Sequence, residues 1–283
     1  MKLEGRRQSE NVEDRRGKGG GKMSLGIIGT IIVGLIIWFS GGNPMEFVSQ
    51  QISTGTTTSQ NYTPTPEEEE AATFAETILA GTEDVWTEVF SKKGMTHKPP
   101  RMVLFSGSTN SGCGSASSST GPFYCPVDQT VYIDLSFFNQ MKQQLGAGGD
   151  FAYAYVIAHE VGHHVQYLLG TLDEVHNRQR QVSEKESNQL SVRLELQADF
   201  YAGVWSFYDN KKFSSMEDGD IEEGLNAATQ IGDDRLQMEA QGYTVPDAFN
   251  HGTSAQRTRW LKKGMQTGDI AQGDTFSIPY SDL

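Results

Sequence analysis

The sequence predicts an α+β domain, a small sheet beside a largely helical remainder, behind a single N-terminal transmembrane helix. Three observations carry this expectation. Strand-like alternation is confined to two short runs, Arg101-Met102-Val103-Leu104-Phe105 and Val131-Tyr132-Ile133-Asp134-Leu135. From residue 137 onward the apolar spacing is helical, which places the helices after the strands. Met23 to Phe39 is an uncharged apolar run of 17 residues closing with Trp38 and Phe39.

Residues 1–22 carry seven Lys/Arg against four Asp/Glu, net +3, and read as a basic tail that stays cytoplasmic. The run at 23–39 reaches about 25 Å at helical rise, the short end of the spanning range. A cleaved signal peptide is the alternative. However, Ser40-Gly41-Gly42-Asn43-Pro44 lacks a clear small-x-small site, and the run is longer than a typical signal core. A signal anchor of this orientation sends the rest of the chain outside the cytoplasm. Residues 40–66, rich in Ser, Thr and Gly, form a flexible linker with a reach of roughly 30 Å. The remaining domain, residues 67–283, holds 16 basic against 31 acidic residues, net −15, and is a poor partner for nucleic acid or an anionic surface.

Within that domain a helix is expected over Thr73 to Phe90, then the strand at 101–105. Cys113 and Cys125, the only cysteines, flank a Ser/Gly loop. A disulfide is permitted outside the cytoplasm and, closing about a dozen residues, would contribute on the order of 3 kcal/mol. A two-cysteine zinc site is the competing idea, but the spacing fits no standard finger. The strand at 131–135 follows, then helices over Phe137 to Leu145, Asp150 to Leu169, Leu190 to Phe207, Ile221 to Gln241 and Ser254 to Lys263.

The helix from Asp150 carries the chemistry. Phe151, Tyr155, Ala158, Gly162, Val165 and Leu169 form one apolar stripe, and Gly170 is a helix stop. In its middle lies His159-Glu160-Val161-Gly162-His163, an HExxH pattern. Residues four apart share a helix face, so His159 and His163 can reach one zinc ion, and Glu160 is placed to act as general base on a water. Two histidines and a glutamate in a buried helix need partners, and a metal would supply one. His164 lies about 100° around from His163 and is a poor third ligand. The longer HExxHxxGxxH form is excluded, because Gln166 and Leu169 stand at its later positions. Downstream, Glu195 and Asp199 project from one helical face. One would bind zinc, and the other would accept the free ring N–H of a ligand histidine. His251 is the best remaining histidine for steadying a tetrahedral oxyanion, with an exposed loop position as the alternative. His97 and His176 read as surface residues, and Tyr153 and Tyr155 have no claim to chemistry.

The Glu-x-x-x-Asp arrangement after HExxH resembles the gluzincin pattern. That resemblance implies Glu195 as the third ligand and Asp199 as the orienter of a histidine, His159, with Asp199 as ligand the alternative. The stretch around His251 resembles the His-Pro-Ser-x-x-x-Arg segment of membrane-associated HExxH proteases, with Gly252 in place of the proline. Longer motifs extend the likeness over the whole chain except the linker. They are Gly5-Arg6-Arg7-Gln8-Ser9-Glu10-Asn11-Val12-Glu13-Asp14-Arg15-Arg16-Gly17, Gly121-Pro122-Phe123-Tyr124-Cys125-Pro126, Val131 to Phe138, His159 to His164, and Ile231-Gly232-Asp233-Asp234-Arg235-Leu236-Gln237. Together they resemble the bacterial putative neutral zinc metallopeptidase family.

The resemblance implies a membrane-anchored bacterial protein with a zincin-like domain and says little about substrate. Together with the HExxH helix and the anchor's orientation, the chain reads as a metallopeptidase that binds one Zn2+ and cleaves peptide or protein substrates at the cell envelope, its catalytic domain periplasmic or extracellular. The resemblance also implies that Val131 to Leu135 or Arg101 to Phe105 is an edge strand receiving extended substrate. Two other readings remain open: a non-proteolytic, zinc-stabilised envelope interaction domain, and an amidase acting on cell-wall peptides. The sequence contains no recognisable wall-binding module.

Overall fold

The computed structural model describes residues 1–17 and 62–283. A four-stranded sheet is covered by helices, which is the α+β arrangement expected. The strands are β1 (Val12–Asp14), β2 (Arg101–Phe105), β5 (Phe123–Cys125) and β6 (Thr130–Asp134), in the order β1-β2-β6-β5. β1, β2 and β6 run parallel and β5 is antiparallel to β6. A separate hairpin is made by β3 (Ser108–Ser111) and β4 (Gly114–Ser117). Cys113 at its turn is bonded to Cys125 in β5, so the disulfide joins the hairpin tip to the sheet.

Strand alternation sorts the sheet's two faces. Met102, Leu104, Val131 and Ile133 enter the main core with Ile78, Leu79, Trp86, Ile157 and Val161. Val103, Phe105, Tyr132 and Cys125 form a smaller cluster on the other face. The helices are α1 (Pro66–Lys92), α2 (Ser136–Gln144), α3 (Asp150–Leu168), α4 (Thr171–Gln179), α5 (Glu184–Phe213), α6 (Asp220–Gln230), α7 (Asp233–Gln241) and α8 (Ser254–Thr267). α5, buried along much of its length, packs on α3 and α8.

Several expectations change. The helix expected from Ile221 to Gln241 is two, because the chain breaks at Gly232, and the Asp233 N–H donates to Gly252 O at 2.9 Å instead of continuing the helix. Helix α4 has no counterpart among the expected elements. β2 lies between β1 and β6, and β6 between β2 and β5. Neither strand expected to receive substrate therefore has a free edge; among the described residues β1 and β5 are the outer strands. His97, expected at the surface, is 9 % exposed, with Nδ1 3.1 Å from Thr87 Oγ1. His176 is half-buried.

The largest correction concerns the basic tail, which is expected to stand apart from the domain. Its described part, residues 1–17, is instead built into the fold. β1 pairs with β2, Met102 N–H donates to Asn11 O at 2.9 Å, and Arg15 N–H donates to Leu104 O at 2.8 Å. Arg6 donates two bonds to the buried carboxylate of Asp209, at 2.9 and 2.5 Å. Ser9 and Asn11 donate to Glu83 Oε1, and Arg16 to Asp14 and Glu69. Arg6, Arg7 and Arg16 of the tail are thus met by acids of the domain. Among the described residues no helix is long and apolar enough to cross a membrane. The expected span at 23–39 and most of the linker lie outside the described residues.

Candidate metal centre

α3 and α5 build the site. α3 is buried at nearly every position from Phe151 to Gln166, so its polar groups face other protein groups. His159 and Glu160 are 6 % and 8 % exposed. One ligand atom each from His159, His163 and Glu195 lies within 4.8 Å of the others. His159 Nε2 is 3.1 Å from Glu195 Oε2, and His163 Nε2 is 3.5 Å from Glu195 Oε1.

The other nitrogen of each ring is also engaged. His159 Nδ1 lies 2.8 Å from Asp199 Oδ1, and His163 Nδ1 lies 2.9 Å from Gln166 Oε1. Both partners are acceptors, so each ring carries its proton on Nδ1 and turns the Nε2 lone pair towards a carboxylate. Lone pairs and carboxylate repel unless protons or a shared cation lie between them. The His2Glu donor set suits zinc, and its members fit that ion. Without a cation the cluster draws protons: burial disfavours charge on His159, but Asp199 and Glu195 overcome it and push its pKa up to about 10. Burial would raise the Glu195 carboxyl, yet His163, His159 and His251 hold it well below the usual carboxylate range.

Behind His159 lie three buried polar residues, Asp199, Tyr155 and Arg257. Asp199, 0 % exposed, accepts from His159, from Tyr155 O–H at 2.6 Å, and from Arg257 Nε and Nη2 at 2.9 and 3.0 Å. Burial would raise its pKa, but Arg257 and His159 lower it to about 2. Asp199 is thus a permanent anion whose oxygens are spoken for, which leaves Glu195 as the carboxylate facing the histidine pair. Sequence reasoning gives Tyr155 no claim to chemistry and Arg257 no role. Their partners lie 44 and 58 residues away, beyond any local pattern.

His251 reaches the same neighbourhood from the loop before α8. Its pKa is raised: burial works against the cation, while Asp233 and then Glu195 favour it. Asp233 is fully buried and holds this loop. One carboxylate oxygen accepts from the N–H groups of Asn250, His251 and Gly252, at 2.8, 2.7 and 3.0 Å, and the other lies 3.1 Å from His251 Nδ1. Gly252 has φ +97°, which a proline cannot adopt, so the departure from the His-Pro pattern follows from the backbone. His164 is fully buried away from the metal cluster, its Nδ1 accepting from Tyr124 O–H at 2.9 Å and its Nε2 donating to Lys98 O at 2.7 Å.

The chain is 49 % identical to Uncharacterized protein YpfJ of Escherichia coli (strain K12) over 287 residues, covering 98 % of this chain and 99 % of that one. It is 48 % identical to Uncharacterized protein Rv2575 of Mycobacterium tuberculosis (strain ATCC 25618 / H37Rv) over 188 residues, 63 % of this chain and 62 % of the other. No solved structure matches it. The family model described as "Putative neutral zinc metallopeptidase" matches residues 1–276, taking in β1 and the N-terminal arginines as well as the His-His-Glu cluster. With a zinc-suited cluster at its centre and a match running from its first strand to beyond its last long helix, this chain belongs to that neutral zinc metallopeptidase family.

Proposed function

We propose that this protein is a zinc-dependent metallopeptidase that hydrolyses peptide bonds in an oxidising compartment at the bacterial cell envelope. The observation that carries the reading is the convergence of His159 Nε2, His163 Nε2 and the Glu195 carboxylate, each histidine backed by an acceptor on Nδ1. In this reading those three residues hold one zinc ion and Asp199 orients His159. Zinc bound there would polarise the scissile carbonyl and make a water acidic enough to lose a proton near neutral pH.

The chain's own groups do the rest. Glu160, one residue along the helix from His159, accepts the water proton and delivers it to the leaving amine nitrogen. His251, its Nδ1 proton held by Asp233, donates from Nε2 to the developing oxyanion. β5 takes the role expected of the inner strands. It is an outer strand, and its Tyr124 packs on α3 at His164, next to His163, so extended substrate adds to β5. The Cys113–Cys125 bond favours the oxidising compartment, and the apolar run at 23–39 favours membrane attachment.

The test uses the full chain in mild detergent, with zinc counted by elemental analysis and cleavage followed on a mixed peptide library. Glu160→Gln should keep the zinc and lose cleavage by about 1,000-fold, on the order expected for a lost general base. Glu195→Ala should lose the zinc. A Gln variant as active as the parent would remove Glu160 from the mechanism, and a parent with zinc but no peptidase activity would favour the non-proteolytic reading.

A further inference from the structure

The two candidate histidine ligands are held by different chemistry. His159 leans on a carboxylate, whereas His163 leans on a side-chain amide, Gln166, which lies on the same helix three residues later. Gln166 is 0 % exposed, and both ends of its amide are bonded within the protein. Its Nε2 donates to Leu194 O at 2.7 Å and to Gln197 Oε1 at 3.1 Å, both on α5. Gln197, 6 % exposed, in turn donates from its own Nε2 to Gly273 O at 2.9 Å.

This sequence of bonds leaves one arrangement. The Gly273 carbonyl can only accept, so the Gln197 amide must turn its NH2 towards it and its oxygen towards Gln166. The oxygen of Gln197 and the Leu194 carbonyl are both acceptors, so Gln166 must offer them its NH2. Its own oxygen is then left facing His163 Nδ1, which must carry the proton. The Nε2 lone pair of His163 follows, aimed at the cluster. A carboxylate at 166 would place a negative oxygen against Leu194 O and Gln197 Oε1. The amide is therefore the group that both orients the histidine and bonds α5.

We propose that Gln166 is a positioning residue for the metal centre, fixing His163 as its Nδ1–H tautomer through an amide relay that runs from Gly273 O through Gln197. The relay ties the ligand on α3 to α5, the helix that supplies Glu195, and to the C-terminal segment. This rests on the metallopeptidase reading for its purpose, but not for its geometry.

Two variants separate orientation from packing. Gln166→Met keeps the length and removes the acceptor. Gln166→Glu keeps an acceptor for His163 and loses the donor to Leu194 O. In the full-length, metal-free protein labelled with 15N-histidine, imidazole nitrogen shifts of the six histidines report the tautomer, with His163 assigned by its loss in His163→Gln. His163 should carry a hydrogen-bonded Nδ1 proton in the parent and in Gln166→Glu, whether or not Nε2 is also protonated without zinc, and lose that bonded proton in Gln166→Met. Zinc affinity, measured by competition with a chromogenic chelator, should fall roughly 10- to 100-fold in Gln166→Met. It should stay within about 3-fold of the parent in Gln166→Glu, because the acceptor on Nδ1 is kept, although that variant melts lower. A Met variant with parental tautomer and affinity overturns the proposal, as does a Glu variant as weak as the Met variant. If the parent takes up no zinc, the metallopeptidase reading fails, while the tautomer measurement still decides the role of Gln166.

Discussion

His97 shows what a single buried side chain can do to stability. Among its surroundings are Thr87, which meets its Nδ1, the ring of Phe90, and the His164 ring 6.3 Å away. Its Nε2 is buried with no hydrogen-bond partner among the described residues. Burial, with a smaller push from His164, lowers its pKa from the ordinary 6.5 to about 4. Between those two values the unfolded chain binds a proton that the folded chain refuses, so stability falls as pH drops from 6.5 towards 4 and is level above. At about 1.4 kcal/mol per pH unit, the move from pH ~7 to pH ~5 costs about 2 kcal/mol through this residue. His97→Leu should remove that part of the acid loss, as read by urea unfolding at the two pH values. A variant with an unchanged pH slope would contradict the assignment. The sequence conceals this burial, because His97 sits between the polar residues Thr96 and Lys98 and outside any periodic element. The candidate ligands and their orienter are more legible. His159, His163, Glu195 and Asp199 each announce themselves by four-residue spacing on a helix face, a purely local signal. Tyr155, Gln166, Asp233 and Arg257 do not, because their roles exist only once α3, α5, α7 and α8 have met.

At the scale of elements, the site depends on how closely α5 and α8 cross. Asp199 lies on one and Arg257 on the other, and two glycines sit at the crossing. A Cβ on Gly264 would lie 2.9 Å from both Gly203 Cα and Val204 N, and against Phe200 O, all of them backbone atoms that cannot turn away. Helix propensity alone favours Gly264→Ala by about 1 kcal/mol. Overpacking against backbone costs about 1–3 kcal/mol or more, so the clash wins and the helices must separate. Gly264→Ala should lower stability in denaturant and loosen the Arg257–Asp199 pairing, which together reduce zinc affinity. An alanine variant at least as stable as the parent would show that the crossing has slack. The helices themselves are largely readable from apolar periodicity, although the two longest, Pro66–Lys92 and Glu184–Phe213, begin well before the expected Thr73 and Leu190. The two-helix break at Gly232 is not, since its cause is Asp233 turning to hold residues 250–252. β1 and β5 escape a sequence reading for a similar reason. Three-residue strands carry too little alternation to register, and it is pairing with β2 and β6 that makes them strands.

For the whole molecule, the N-terminal strand changes the membrane topology that the sequence suggests. Positive charge before the apolar run argues for a cytoplasmic tail, and the disulfide argues for a domain outside. Both cannot hold for a chain folded in this way, because residues 1–17 and 62–283 form one body. Three of the tail's four arginines, Arg6, Arg7 and Arg16, are occupied with Asp209, Glu83, Asp84 and Glu69, so these charges are not free determinants of orientation. An apolar run of 17 residues is long enough to cross a bilayer once but not twice. One crossing would pull β1 out of the sheet and leave Glu83 and Asp209, both buried, without their partners, at a cost of several kcal/mol. Residues 1–17 and the domain from residue 62 onward are therefore expected on the same side of the membrane. Glu10 and Asp218 are exposed, one on each side of the run in sequence. Single Glu10→Cys and Asp218→Cys variants of the full chain, treated in intact cells with a membrane-impermeant maleimide, should both be labelled, while the bonded native cysteines stay silent. If neither reacts until the cells are opened, the domain faces the cytoplasm and the oxidising compartment is wrong, yet the shared side stands. If only Asp218→Cys reacts, the chain does cross once and the N-terminal strand is not part of the folded protein in the membrane.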